Sequence, residues 1–465
     1  MQFRKFLTSD TLRGRALRGT AITLGSSLGQ QAIRLASNLI LTRLLFPEAF
    51  GLMALIQTFV IGLEMFSDVG LQPSIVQNRR GTEPNFLNTA WTIGIIRGFV
   101  LWFVACALAW PLSVFYDNSQ MLYLLPVVGF NAVISGFITT KTAVAFRKIN
   151  LGMQAALSLG GQAVGVVAMI TIAYLWPSVW ALVIGGLIGN LVDMLLHHRF
   201  LPGERNRLCW DRSAISELIS FGQYIFLSTI AAFIGRQGDK LILGKLVSLF
   251  SLGIYNIAFF LANFPTMLGE MVAGQILFPL YSERRPSENI ANMAKLKRAR
   301  NLVTGSLIAL NLLVGLIGVG LVNIMYDARY TEAGPMLVIM ALSQIPPALL
   351  IGNSQLLLAE GNSRDFSIIV WVQAALHITG LLVGYWLLGM FGVLLVPGLV
   401  AILYYPLQQY FLAKHAGVDL RRDAIFALIG LVLGSGVIFV NLGPVSEFVG
   451  SSIAGASSNI GAWIN

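Results

Sequence analysis

The sequence predicts an all-α polytopic membrane protein: two six-helix lobes, related as parallel repeats, surround a central cavity, and about one extra helix follows at the C-terminus. Three observations predict it. The 465-residue chain is 56% apolar and only 11% charged, whereas soluble proteins are about 25% charged. Apolar segments of about 20 residues, long enough to cross a hydrocarbon core, recur along the chain. A stretch of the first half is repeated in the second.

Thirteen segments are predicted to cross the membrane. The first half supplies six, at 20–44, 50–76, 88–110, 121–140, 152–175 and 178–197. The second half supplies six more, at 214–244, 250–280, 302–325, 333–358, 366–388 and 391–413, and the last segment lies at 425–440. The predicted domains are an N-terminal tail (1–19), two lobes (20–200 and 214–415) joined by a loop (201–213), and an additional C-terminal helix and tail (424–465). The Ser- and Gly-rich part of that tail, 443–465, either crosses the membrane or lies in its interface.

The basic residues predict the orientation. Most of the 31 Lys and Arg residues fall in the N-terminal tail and on alternate loops. Such asymmetry predicts that the N-terminus and these loops face the cytoplasm. The net charge of +10 therefore reflects cytoplasmic loops, and no nucleic-acid partner is expected.

An internal repeat predicts two related lobes. Residues 39–55 read LILTRLLFPEAFGLMAL, and residues 241–257 read LILGKLVSLFSLGIYNI. At the same offset Arg34 is matched by Arg236, and a cation inside an apolar run is costly enough to make a chance repeat improbable. Six spans per half is an even number, so both halves have the same orientation. Parallel repeats of this kind place a site between them near the midplane.

Arginines near mid-depth are the first candidate site residues. Gln30, Arg34 and Asn38 share one face of the first span, because residues four apart on a helix lie one above the other. Arg236 occupies the matching place on the seventh span, and Arg97 lies about nine residues, or roughly 13 Å, inside the third. Guanidinium groups bind phosphate oxygens bidentately, which indicates an anion site. The alternative is structural pairing: Arg236 with Asp239 one turn away, and Arg34 with an acid of the second span.

Intramembrane acids and amides form the second set. The second span carries Glu64 and Asp68, and the eighth carries Asn256, Asn263 and Glu270 at intervals of seven, hence on one face. With Asp239, these acids either exchange ions with a gradient or balance the arginines.

Several chemical motifs are excluded. Residues 25–29 match the nucleophile-elbow pattern but lie inside a helix, where small residues serve close packing. The sequence contains no P-loop, HExxH or dinucleotide-binding motif. We therefore expect no catalytic residue, no metal site, no cofactor and no ATP hydrolysis by this chain.

Two runs carry a resemblance to a known family. LTRLLFPEAFGLMALIQTFVIGLEMFSDVGLQPSIVQ, at 41–77, and GDKLILGKLVSLFSLGIYNIAFFLANFP, at 238–265, resemble Wzx-type polysaccharide flippases of the multidrug/oligosaccharidyl-lipid/polysaccharide (MOP) exporter superfamily. The resemblance extends through about residue 413. It rests on spaced glycines, leucines and acids rather than on catalytic residues.

The resemblance implies a function. The implied substrate class is an undecaprenyl-pyrophosphate-linked oligosaccharide. The protein would move it from the cytoplasmic to the periplasmic leaflet of the bacterial inner membrane, for lipopolysaccharide, exopolysaccharide or capsule synthesis. The resemblance also implies a cavity lined by the first, second, seventh and eighth helices, which carries over to Arg34, Arg236, Glu64, Asp68, Asn263 and Glu270. A polysaccharide polymerase and chain-length machinery are the implied protein partners, beside the lipid bilayer.

Two alternatives stay open. One is an ion-coupled drug or cation exporter of the same superfamily, which favours a cavity with net acid. The other is a membrane polysaccharide polymerase or ligase, which needs a large outer loop that the predicted topology lacks.

Overall fold

The computed structural model describes residues 12–67, 70–148, 151–222, 226–283, 290–414 and 418–464. These residues form helices and no β-strand, which confirms the predicted all-α class. Contacts divide the chain into two compact units, Met1–Ile230 and Ala231–Asn465. The candidate acid Asp68 lies outside the described residues.

The first unit is built from helices that alternate between long spans and short broken pieces. They are α1 (Leu12–Leu44), α2 (Pro47–Phe66), α3 (Leu71–Gln77), α4 (Pro84–Phe115), α5 (Met121–Gly129), α6 (Asn131–Gly136), α7 (Lys141–Arg147), α8 (Gly152–Leu175), α9 (Val179–Phe200) and α10 (Arg212–Gly222). The division between the units falls inside α11 (Phe226–Leu246).

The second unit follows a similar course. Its helices are α12 (Leu249–Ala262), α13 (Phe264–Val272), α14 (Phe278–Glu283), α15 (Ile290–Met325), α16 (Ala333–Ser343), α17 (Ile345–Ala359), α18 (Ser363–Ala413), α19 (Leu420–Val440) and α20 (Leu442–Ile464). A single π-helical turn, Ala273–Leu277, joins α13 to α14.

The internal repeat is visible in the helix boundaries. Helix α1 ends at Leu44 and α2 begins at Pro47, and the repeat-related α11 ends at Leu246 and α12 begins at Leu249. Both breaks therefore fall at the same place in the repeated stretch. The helix boundaries recur because the two stretches share the same spacing of apolar residues, so each forms a helix, a short connection and a second helix at matching positions.

The membrane-length helices of the described residues cover eleven of the thirteen predicted spans. Among the described residues, seven helices are long and apolar enough to cross a membrane, or ten if each of three bent pairs is one span. Helix α18 contains two predicted spans in one run of helix, with a kink at Gly389, whose φ of 62° favours glycine. Helices α1 and α11, which cover the predicted spans 20–44 and 214–244, are helical but do not belong to this apolar set.

Two helices, rather than the one predicted, follow the second lobe. Asn441 ends α19, and its side-chain amide donates to the Gly315 carbonyl at 3.4 Å. Helix α20 then packs against α16 and α18. At the kink of α18, a Cβ on Gly389 would lie 2.5 Å from the Ser452 carbonyl oxygen, so the two backbones touch.

Helix α10 belongs to the first unit, which differs from the predicted start of the second lobe at 214. Its Ala214 and Leu218 are fully buried against Ile75 and Phe86. The predicted span 214–244 therefore includes α10, which packs on the first unit, and α11, inside which the division between the units falls. Burial of this apolar face decides the boundary, and hydropathy along the chain does not reveal it.

Candidate functional site

The first unit contains a cavity of about 800 Å³ between α2–α3, α4 and α6–α7. Two of the predicted site residues, Glu64 and Arg97, line it. Its wall depends on the close approach of α4 and α6: a Cβ on Gly98 would lie only 2.5 Å from the Ala132 carbonyl oxygen. Only glycine allows this distance between the backbones, so the small residue fixes the width of the cavity at that point.

Arg97 is held by the end of α2. Its Nε donates to Ser67 Oγ at 2.9 Å, and its Nη2 donates to the Glu64 carbonyl at 2.7 Å. The last carbonyls of a helix lack partners within the helix, and a cation there also interacts favourably with the helix dipole. Arg97 therefore caps α2 and also lines the cavity.

Glu64 presents its carboxylate to the same cavity. The side chain is half-buried, and its carboxylate makes no hydrogen bond or ion pair with another described residue. Arg97 contacts the backbone of Glu64 rather than its carboxylate. The carboxylate is consequently available to a ligand.

Helix α1 places three predicted residues along one face. Arg34 is exposed, and Gln30 and Asn38 are half-buried. The backbone carbonyl of Gln30 accepts a hydrogen bond from Gln162 of α8 at 3.0 Å, which fixes this part of α1 on the lobe.

In the second unit Arg236 pairs with Glu270 rather than with Asp239. Arg236 Nη2 lies 3.3 Å from Glu270 Oε2, and the two side chains are 67% and 56% exposed. The predicted alternative, pairing of Arg236 with Asp239 one turn away, is wrong because Asp239 points into the core of the unit, where it has other partners.

Asp239 is the acceptor in a buried cluster. Tyr255 donates its hydroxyl to Asp239 Oδ2 at 2.6 Å, and Lys240 Nζ lies 3.6 Å from Oδ1. The same ammonium lies 4.3 Å above the ring of Phe259 and donates to Gln237. Asp239 and Lys240 are thus both buried and mutually neutralised, as buried charges must be.

Asn256, Asn263 and Glu270 do not lie on one continuous helix. Asn263 ends α12 and precedes α13, and the two segments bend by 41° there. The bend follows from Pro265 in the first turn of α13, which cannot donate to the α12 ladder, and the placement of the three side chains on one face stays a prediction.

An ion-pair network joins the α3–α4 connection to α10, at the end of the first unit that carries its basic loops. Arg80 contacts Asp211 at 3.0 Å, Glu217 at 3.1 Å and Glu83 at 2.8 Å. Hydrogen bonds from Ser213 and then Arg80 lower the pKa of Asp211, and those from Asn78 and then Arg80 lower the pKa of Glu217. The network therefore holds α10 on the unit as long as both carboxyls are ionised.

Acid is expected to loosen α10. A carboxyl with a lowered pKa stabilises the docked form above its ordinary pKa, and that contribution disappears as the pH falls through the lowered value. Hydrogen–deuterium exchange of α10, corrected for intrinsic rates, should show protection that declines below about pH 4. In Arg80→Gln the protection should already be weaker at neutral pH, whereas the exposed neighbour change Arg79→Gln should leave it intact. Equal protection in wild type and Arg80→Gln at every pH would contradict the role of the network.

Several residues of these sites were not predicted. Trp91, Gln72 and Gln77 line the cavity, and Tyr255 holds Asp239. The sequence contains a weak indication of Trp91. Its indole is amphipathic and lies within two helical turns of Gly94 and Arg97 on the same predicted span. Among the described residues, no group of three or more His, Cys, Asp or Glu residues is arranged to hold a metal ion.

Comparison with known proteins identifies the family. Residues 40–335 match the model of a family described as "Polysaccharide biosynthesis protein". The chain is similar to the teichuronic acid biosynthesis protein TuaB of Bacillus subtilis, with 18% identity over 69% of this chain and 71% of that protein. It is also similar to the lipopolysaccharide biosynthesis protein WzxC of Escherichia coli, with 20% identity over 57% of this chain and 52% of that protein.

Solved structures identify the fold. The lipid II flippase MurJ, in an inward closed conformation, superposes with a TM-score of 0.69 over 92% of this chain and 97% of that one, at 10% identity. An inward-facing MATE multidrug resistance transporter of the MOP superfamily superposes with a TM-score of 0.60 over 84% and 96%, at 13% identity. These matches confirm the resemblance to Wzx-type proteins and the two-lobe fold class. The chain belongs to the polysaccharide biosynthesis protein family and is a multi-pass membrane protein with the fold of the MOP superfamily.

Proposed function

We propose that this protein is a flippase that moves an undecaprenyl-pyrophosphate-linked oligosaccharide from the cytoplasmic to the periplasmic leaflet of the bacterial inner membrane by alternating access, without ATP hydrolysis. The N-terminus and the basic loops face the cytoplasm in this proposal. The glycan and pyrophosphate are carried by polar and basic side chains of the membrane helices while the isoprenoid tail stays in the bilayer.

The observation that carries the proposal is the pair of exposed arginines at repeat-related positions. Arg34 on α1 and Arg236 on α11 are both exposed within helices of membrane-spanning length. A guanidinium within a membrane helix is costly unless it faces a polar cavity or a ligand or pairs with an acid, as Arg236 does with Glu270. Pyrophosphate is a fitting ligand, because it offers paired oxygens to the guanidinium fork.

The remaining predicted residues take supporting parts in the proposal. The amides of Gln30, Asn38, Asn256 and Asn263 contribute hydrogen bonds to the cargo. Glu270 balances the charge of Arg236 when no cargo is bound, since the two groups lie within ion-pair distance. Asp239, which pairs with Lys240, and Asp68 remain candidates for ion coupling or charge balance.

The decisive experiment is complementation of a bacterial strain that lacks its own flippase. Wild type should restore surface polysaccharide and reduce the pool of lipid-linked repeat units on the cytoplasmic side. At matched membrane levels Arg34→Ala should fail, and Arg34→Lys should recover only part of the activity because it keeps the charge and loses the fork. If wild type fails in every polysaccharide background and extrudes cationic dyes, the protein is an exporter of the same fold instead.

A further inference from the structure

The cavity of the first unit offers a ligand different groups from the two exposed arginines, Arg34 and Arg236. Its volume of about 800 Å³ lies within the roughly 300–1,000 Å³ of small-molecule sites. Apolar side chains of α3, α4 and α7 form much of the wall, and polar groups of both hydrogen-bonding kinds are set among them.

Several of these polar groups are not used by the protein itself. In the described part of the chain, the side chains of Gln72, Gln77 and Ser135 and the carboxylate of Glu64 form no hydrogen bond with another residue. Arg97 uses its Nε and Nη2 to cap α2 and keeps a further donor nitrogen. Amides and hydroxyls both donate and accept, and a carboxylate accepts twice, so the wall offers several donor–acceptor pairs.

An aromatic ring completes the wall. The indole nitrogen of Trp91 donates to the Phe137 carbonyl at 3.2 Å, and the ring lies edge-on to the rings of Phe137 and His198. These contacts lock the orientation of the indole. A fixed ring on the wall of a polar cavity gives an apolar ligand face a surface to stack on.

We propose that this cavity is a subsite for one or more hexose units of the transported glycan, an inference that rests on the proposed function. A hexose presents neighbouring hydroxyls that donate and accept, together with an apolar face of C–H groups. Gln72, Gln77 and Glu64 match the hydroxyls, and Trp91 matches the C–H face.

Other ligands fit the cavity less well. The carboxylate of Glu64 offsets the charge of Arg97, so an anionic phosphate gains little here, in contrast to the exposed arginines. An isoprenoid chain would cover the amide and carboxylate groups without pairing them, at a cost of about 1–3 kcal/mol for each group.

The test measures binding of two probes to the full-length protein in nanodiscs. One probe is the radiolabelled lipid-linked repeat unit from a strain that the protein complements, and the other is undecaprenyl pyrophosphate without sugar. Trp91→Leu and Glu64→Gln should each weaken binding of the first probe about tenfold, as expected for loss of a hydrogen bond or stacking contact worth about 1.4 kcal/mol. Binding of the sugar-free probe should stay unchanged.

Two variants outside the cavity are matched controls. Trp110→Leu lies on the same helix as Trp91 and is 66% exposed, and Glu48→Gln lies on α2, the helix of Glu64.

Gln72→Ala tests the subsite without disturbing packing, since that side chain is exposed, and it should show the same selective loss. Equal weakening of both probes, or no weakening of either in all three variants, would overturn the glycan subsite while leaving the flippase intact. If wild-type protein binds neither probe, the proposed function itself fails, and the subsite fails with it.

Discussion

Asp423→Asn is expected to destabilise the second unit strongly. The Asp423 carboxylate lies 2.6 Å from Arg422 Nη1 and 3.7 Å from Arg300 Nη2, and all three side chains are at most 5% exposed. Tyr405 and Gln409 donate to its other oxygen. Asparagine keeps the shape and removes the charge, which leaves two buried guanidinium groups without their counter-ion. Removal of one partner of a buried ion pair costs about 3–5 kcal/mol.

The measurement is thermal unfolding of the purified protein by size-exclusion survival or tryptophan fluorescence, together with yield from membranes. Glu447→Gln, which changes an exposed acid of α20, is the control and should unfold like wild type. An Asp423→Asn protein with wild-type yield and melting temperature would show that Arg300 and Arg422 are neutralised by other groups.

Arg236→Ala should reduce export by about 10- to 150-fold. The figure follows from loss of a charged hydrogen-bond donor to the pyrophosphate, worth about 1.5–3 kcal/mol. Glu270→Gln should instead strengthen anion binding, because it removes the carboxylate that lies 3.3 Å from Arg236. Export of surface polysaccharide and accumulation of lipid-linked repeat units, both at matched membrane levels, measure the two effects.

Lys245→Ala is the matched control for Arg236, since Lys245 is a cation in the last turn of the same helix. The Lys245→Ala protein should export normally, because the proposal assigns the cargo contact to the cation at position 236 and not to every cation of this helix. Export by Arg236→Ala at the wild-type rate would remove Arg236 from the cargo site and leave its pairing with Glu270 a structural contact.

Some of the site was predictable because it repeats. Arg34 and Arg236 could be placed on related helices because their surroundings recur at one offset, and the breaks after Leu44 and Leu246 confirm the repeat. The partner of Arg236 was not predictable. Glu270 lies on α13, beyond a bend at Asn263, so its distance from Arg236 depends on the packing of two helices rather than on spacing along one.

The basic loops show a second kind of limit. Charge asymmetry predicts that the loop cations lie on one side of the membrane, but it does not predict which groups each cation contacts. Lys141 is buried and donates to the carbonyls of His198 and Leu201, and Arg147 donates to the carbonyls of Ile75 and Asn78. These cations cap helix ends that are distant in sequence, where carbonyls lack partners.

The sequence by itself determined the helical class, the succession of spans, the duplication and the arginines that interrupt it, because hydropathy, repetition and the cost of charge in lipid all act along the chain. Only the tertiary structure decided which charges are buried together and which line a cavity. Arg300 and Arg422 lie outside the predicted spans, yet both contact the buried carboxylate of Asp423 in the second unit. The pairing of Arg300 with Asp423 joins residues more than a hundred positions apart, and it arises from helix packing, which no local pattern encodes.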